Sequence, residues 1–185
     1  MRIVAGRFRS IALAKLGKGD AAAHLRPTSD RVRESLFNIL THHNVIHGAR
    51  VLDLFAGTGA LGLEALSRGA AHVTFVDDGR VAQRLLTENI DKLRVTHETA
   101  ILRRNALHLP RCERPQSTLI FLDPPYGKGM GTRALDGAVA GGWLAQDAFV
   151  VLEENAPISA PAGFVLVDAR RFGDTHVTLL SKSPE

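Results

Sequence analysis

A single cysteine, Cys112, stands among 185 residues. It cannot close an internal disulfide, which fits a reducing compartment, and a cytoplasmic location is expected. Long apolar runs are missing too: none approaches the ~20 residues of a membrane-spanning helix. The basic opening MRIVAGRFRSIALAKL lacks an unbroken apolar segment and a cleavage pattern, so it reads as mature protein rather than signal peptide. Repeats and low-complexity linkers are absent. No nucleophile elbow or Cys–His arrangement occurs. His42, His43 and His47 cluster in THHNVIH without zinc-type spacing, so they read as solvated helix-end residues and no metal is expected.

What is present describes one globular domain. The apolar fraction of 45% and charged fraction of 23% are ordinary for a chain long enough to bury a core. Charge is uneven. Residues 1–34 hold eight Lys/Arg against three acids, whereas the other 151 hold fifteen basic and sixteen acidic residues. The whole net charge of +4 therefore comes from the first fifth of the chain. A basic arm on a neutral body suits a polyanion such as nucleic acid; a solvated terminus is the plainer reading. Residues 1–23 are expected to form this arm as a short hairpin, with the main domain spanning 24–185.

RPTSDRVRESLFNILTHH opens with capping residues, Thr28 or Ser29, and continues with helical apolar spacing. From residue 50 strands and helices alternate: RVLDLF, GALGLEALSRG, HVTFVD, RVAQRLLTENIDKL, AILRRN, TLIFLD, TRALDGAVAGGWL, AFVVLEE. Continuous Val/Ile/Leu/Phe strands separated by helices predict a parallel sheet covered on both faces. GFVLVDARRFG and THVTLLSK are too closely joined for a crossover, so an antiparallel hairpin ends the sheet.

Two stretches carry chemistry. In VLDLFAGTGALG a strand ends near Asp53, and Gly57, Gly59 and Gly62 follow as G-x-G-x-x-G before a helix. Phe55, Ala56 and Thr58 complete the turn. Glycines permit close approach of a ligand to the backbone, and ligands sit beyond the carboxyl ends of such strands. Asp77 ends the next strand, where an acid can accept bonds from the ribose hydroxyls of an adenosine cofactor; Asp78 stands beside it to share that contact. NAD and S-adenosylmethionine both carry this ribose. Asp53 favours the second, because a carboxylate suits ammonium and sulfonium groups and repels a pyrophosphate. Asn105, followed by Ala106, ends the third strand and can pair with an adenine edge.

The second stretch is STLIFLDPPYGKG. Its strand stops at Asp123, followed by Pro124, Pro125 and Tyr126, the sole tyrosine. A carboxylate and a rigid carbonyl can accept the two N–H groups of an exocyclic nucleobase amine. They thereby localise its lone pair and aim it at a methyl group. Asp123 supplies the carboxylate, Pro124 the carbonyl, and Tyr126 a face on which the base stacks. A rigid turn after a strand is the alternative.

These residues resemble class I S-adenosylmethionine-dependent amino-methyltransferases. More narrowly, RIVAG, RPTSDRVRESLFNIL, DLFAGTGALGLEALSRGA and IFLDPPY together resemble the RsmD family of bacterial 16S rRNA guanine-N2 methyltransferases. The resemblance implies a seven-stranded, mostly parallel Rossmann-like sheet, S-adenosylmethionine as donor, and a guanine of the small ribosomal subunit or an assembly intermediate as acceptor. It implies closure of residues 26–34 over the donor, with Arg26 and Thr28 in contact. Arg2, Arg7, Arg9, Arg31 and Arg33 are expected to grip RNA, and the protein is expected to be a monomer. Rival readings are an adenine-N6 or protein-amide methyltransferase, a nicotinamide-dependent oxidoreductase, and a non-catalytic RNA-binding protein.

Overall fold

The computed structural model describes residues 1–15 and 29–183. Helix α1 (Asp30–His42) precedes β1 (Arg50–Leu54), α2 (Ala60–Ser67), β2 (His72–Val76), α3 (Arg80–Leu93) and β3 (Thr99–Leu102). Then come β4 (Ser117–Leu122), α4 (Met130–Ala140), β5 (Leu144–Glu154), β6 (Phe164–Phe172) and β7 (Thr175–Lys182). Local chemistry sets the boundaries. Ser29 Oγ accepts from the Val32 N–H at 3.3 Å and caps α1. Arg94 takes a left-handed φ of 56° and closes α3. The expected extension of α4 to residue 144 fails at Gly141 and Gly142, the latter at φ 73°. Trp143 folds back instead, buried and donating from Nε1 to the Pro110 carbonyl at 2.8 Å.

The strands form one seven-stranded sheet in the order β3-β2-β1-β4-β5-β7-β6. Strands β1 to β5 are mutually parallel, and β7 is antiparallel to both β5 and β6. The expected hairpin is present, but β7 is inserted, so β6 forms the edge. Alternate side chains feed two cores. Val51, Phe75, Phe121, Val151 and Leu179 meet α1, α2 and α3 on one face. Leu52, Leu54, Ile120, Leu122 and Leu152 meet α4 on the other. Among the described residues, no helix is long and apolar enough to cross a membrane.

The N-terminal expectation needs correction. Residues 1–15 turn back on themselves as a short hairpin, with an antiparallel bridge from Arg2 to Ala12 and backbone bonds from the Ile3 N–H to the Ile11 carbonyl and from the Leu13 N–H to the Met1 carbonyl, but they do not stand apart as an arm. Ile3 and Leu13 are buried in the α1–α3 core. The Val4 and Ala5 N–H groups donate to the Glu64 carboxylate at 2.7 and 3.0 Å, and the Phe8 N–H donates to Ser67 Oγ at 3.0 Å. Apolar side chains at 3 and 13 and unpaired backbone donors draw the segment onto α2. The expected boundary at residue 23 lies outside the described residues.

Arg33 is also corrected. It is fully buried, with Nε 3.5 Å from Glu64 Oε2 and a terminal nitrogen 2.9 Å from Asp30 Oδ1, and it donates to the Arg2 carbonyl. A guanidinium sealed in this way cannot reach an RNA phosphate. Arg26 and Thr28 lie outside the described residues.

Candidate active site

The carboxyl ends of the parallel strands bring the two motifs together. After β1 the chain reverses through Phe55 at φ 61° and Gly57 at φ 57°. The Gly57 N–H donates to Asp77 Oδ2 at 2.9 Å, and the Gly79 N–H donates to Asp77 Oδ1 at 2.8 Å. Asp77 thus braces the glycine turn from the neighbouring strand. Asp53 Oδ2 accepts from the Gly62 N–H at 2.9 Å, fixing the start of α2.

The glycines divide by task. Gly57 lines a cavity of about 1120 Å³. A Cβ on Gly59 would lie 2.4 Å from Leu86 Cδ1, and one on Gly62 would lie 2.5 Å from Phe75 Cε1. Those two glycines let α2 pack closely on the sheet and do not face the cavity, so their expected ligand contact is replaced by a packing role. The cavity wall does gather Asp53, Phe55, Ala56, Thr58, Asp77, Asp78, Asn105 and Ala106 with Asp123, Pro124 and Tyr126. Asp53 and Asp123, 70 positions apart in sequence, therefore share one wall. Asn105 also turns its Oδ1 to the Leu107 N–H at 2.9 Å.

The family described as conserved hypothetical protein 95 matches residues 1–181. Ribosomal RNA small subunit methyltransferase D of Escherichia coli (strain K12) is 37% identical over 169 residues, 90% of this chain and 82% of that one. The chain belongs to the RsmD family. The putative rRNA methyltransferase YlbH of Bacillus subtilis (strain 168) is 34% identical over 98% of this chain and 99% of its own. The solved structure of the putative methyltransferase yhhF from Escherichia coli matches with a TM-score of 0.84 and 33% identity, covering 100% of this chain and 99% of that one. The family match begins at Met1, in keeping with an N-terminal segment built into the domain.

Electrostatics in this methyltransferase fold favour a cationic ligand. Burial pushes the Asp53 carboxyl well above its usual range, opposed by the Gly62 N–H and reinforced by the charges of Asp123 and Asp77. Burial also raises Asp77, while the Gly57 and Gly79 N–H groups pull it back and Asp78 adds to the rise. Packing acids together is unfavourable in an empty cavity, and a positive charge beside them offsets that cost. The donor set therefore fits a sulfonium cofactor bearing an ammonium group. It fits the pyrophosphate of a nicotinamide dinucleotide poorly.

Several contributors escaped the motif reading. Met1, Lys15, Arg80 and Lys128 also line the cavity. Lys128 is visible in the sequence as a cation two residues past Tyr126; nothing local marks the others. Asn89, fully buried on α3, accepts from the Ala14 N–H at 2.7 Å and donates to the Thr58 carbonyl at 2.9 Å. It ties the N-terminal segment to the glycine turn. Glu153 and Glu154, the last residues of β5, are both buried. Glu154 Oε2 accepts from the Gly127 N–H at 3.2 Å, just past the tetrapeptide. Of the arginines expected to meet RNA, Arg2, Arg7, Arg9 and Arg31 are all exposed, with Arg2 paired to Asp30 at 3.3 Å and Arg7 paired to Glu98.

Proposed function

We propose that this protein methylates the exocyclic N2 of a guanine in the 16S RNA of the small ribosomal subunit, with S-adenosylmethionine as donor. The observation that carries the reading is the presence of Asp123 and Tyr126 on the same cavity wall as the glycine turn and Asp77. The names of the family relatives support the RNA substrate. S-adenosylmethionine, when bound, supplies a methyl group activated by a positively charged sulfur.

The chain's own residues do the rest. Asp77 and Asp78 accept from the ribose hydroxyls, Asp53 lies toward the charged end, and Asn105 meets the adenine edge. The Asp123 carboxylate and the Pro124 carbonyl accept the two N–H groups of the guanine amine, so its lone pair points toward the methyl carbon. Positioning of this kind supplies a large part of a barrier reduction. The nitrogen would gain a C–N bond as the methyl–sulfur bond breaks and the sulfur departs as a neutral thioether, and the nitrogen would then shed one proton, which Asp123 can accept. Tyr126 stacks on the base, and Arg9 and Arg31 contact phosphates. Such an enzyme works where ribosomal RNA is assembled, the cytoplasm.

The test uses tritiated S-adenosylmethionine and small subunits lacking the modification, with wild-type protein and Asp123→Ala. The expected outcome is label in N2-methylguanosine, lost in the variant while donor binding persists. Label in N6-methyladenosine would overturn the acceptor. Donor binding without label in any RNA would overturn the RNA substrate and turn attention to protein amides.

A further inference from the structure

The end of β5 holds an acid to which methyl transfer, as described, gives no task. Leu152 pairs with Leu122 of β4 in parallel register, so Glu153 and Asp123, one step further along, stand side by side. Neighbouring strands are about 4.8 Å apart. Phe121 and Val151, two residues before each acid, both enter the α1–α3 core. Alternation therefore puts Asp123 and Glu153 on that same face. Asp53 shares it, because Asp53 pairs with Phe121.

Glu153 is 1% exposed, and its Oε1 has no hydrogen-bond partner among the described residues. A merely space-filling position would be served better by an apolar side chain of similar length, since a buried polar atom left unpaired is costly. Burial first, then the negative charges of Asp123 and Asp53, hold its carboxyl well above the usual range and so favour the neutral acid. A neutral carboxylic acid has one O–H to donate, and a carboxylate beside it can only accept. Bonds of that type are short and strong. Asp123 lies on the cavity wall, and Glu153 is buried beside it at the end of the adjacent strand.

We propose that Glu153 is a positioning residue of the methyl-transfer site, orienting the Asp123 carboxylate from the adjacent strand. This rests on the methyl-transfer reading given above. Two free rotations turn an aspartate carboxylate, and a single target amine requires one orientation. A donor fixed beside it supplies that constraint without touching the substrate.

The experiment compares Glu153→Gln, which keeps a neutral donor, with Glu153→Leu and Glu153→Met, which keep bulk without one. Turnover on RNA, S-adenosylmethionine affinity and melting temperature are measured for each. Gln is expected to keep kcat within about threefold of wild type, while Leu and Met lose about tenfold to a hundredfold, the scale of a misplaced reacting group. Donor affinity is expected to stay within about twofold, and the apolar variants to melt no lower than wild type. Wild-type kcat in an apolar variant that folds would overturn the proposal. So would a Gln variant as slow as the apolar ones.

Infrared difference spectra give a readout independent of methyl transfer. A neutral-acid carbonyl band that vanishes in Glu153→Gln and shifts in Asp123→Ala supports the contact. No such band at neutral pH overturns it. If wild type methylates no RNA while the band behaves as expected, the substrate reading fails and the Glu153–Asp123 pairing stands.

Discussion

Tyr126 Oη lies 3.1 Å from Thr175 Oγ1, a hydrogen bond that spans 49 positions of sequence. It joins the tetrapeptide after β4 to the first residue of β7, at the turn of the β6–β7 hairpin. The phenol on which a base would stack is therefore held by a strand that takes no other part in the cavity wall.

Thr175→Val removes that bond and preserves shape. A net loss of about 1 kcal/mol is expected, read as a KM for RNA raised about fivefold with donor affinity unchanged. Steady-state kinetics paired with calorimetric donor titration would measure both. An unaltered KM would mean that the ring needs no such anchor.

Glu64→Ala should be among the most damaging single changes. The Glu64 carboxylate is fully buried and accepts from Val4, Ala5 and Arg68, the last at 2.7 Å, beside the buried Arg33 guanidinium. Its removal leaves the sealed Arg33 guanidinium with Asp30 as its remaining carboxylate, a loss of up to about 3–5 kcal/mol. Urea denaturation would give the magnitude. Hydrogen exchange over residues 3–8 should accelerate as the N-terminal segment comes loose, and unchanged protection there would sink this account.

Glu153 makes stability depend on pH with a defined sign. Its folded-state pKa is raised well above 4.5, the value expected of the unfolded chain. The folded protein then keeps a proton that the unfolded chain has released. The stabilisation is complete below about pH 4.5 and declines as pH rises toward the folded value. Glutamine does not titrate. Glu153→Gln should gain on wild type as pH rises from about 5 to 8, by no more than about 1.4 kcal/mol per pH unit. Denaturation curves at several pH values would test it, and a difference independent of pH would contradict the shift.

Like Arg2 and Arg7, which pair with acids, Arg9 and Arg31 are exposed members of the basic set. Replacing both with alanine should weaken RNA binding and lower the slope of log affinity against log salt by about two, one for each phosphate that is no longer neutralised. Donor affinity should not change. A fall in donor affinity would reassign these arginines to the cofactor side.

The sheet was legible in the sequence because its signals are local. The α3 helix follows from apolar spacing over residues 80–93, and the apolar runs of β2 and β4 stop at Asp77 and Asp123, just past each strand. That Asp53, Gly57, Asp77 and Asp123 line one cavity was legible for the same reason, since all lie at or just past the ends of parallel strands. Long-range pairing was not. Arg33 reads as one more exposed arginine able to grip RNA until Glu64, 31 positions later, is folded against it. The N-terminal basic residues suggested a free arm, because charge is visible in sequence and the burial of Ile3 and Leu13 is not. Glu153 and Thr175 depend on register between strands, which no local pattern specifies.

The insertion of β7 between β5 and β6 has a consequence for how the molecule is made. During synthesis β6 leaves the ribosome before its only neighbour in the sheet exists. Its Val165 and Leu166, exposed even in the finished protein, have nothing to pair with until β7 threads into the gap. The same late strand delivers Thr175 to Tyr126. In a nascent chain that has completed only its first five strands, the Asp53, Asp77 and Asp123 strand ends have thus been made while Tyr126 has yet to meet Thr175.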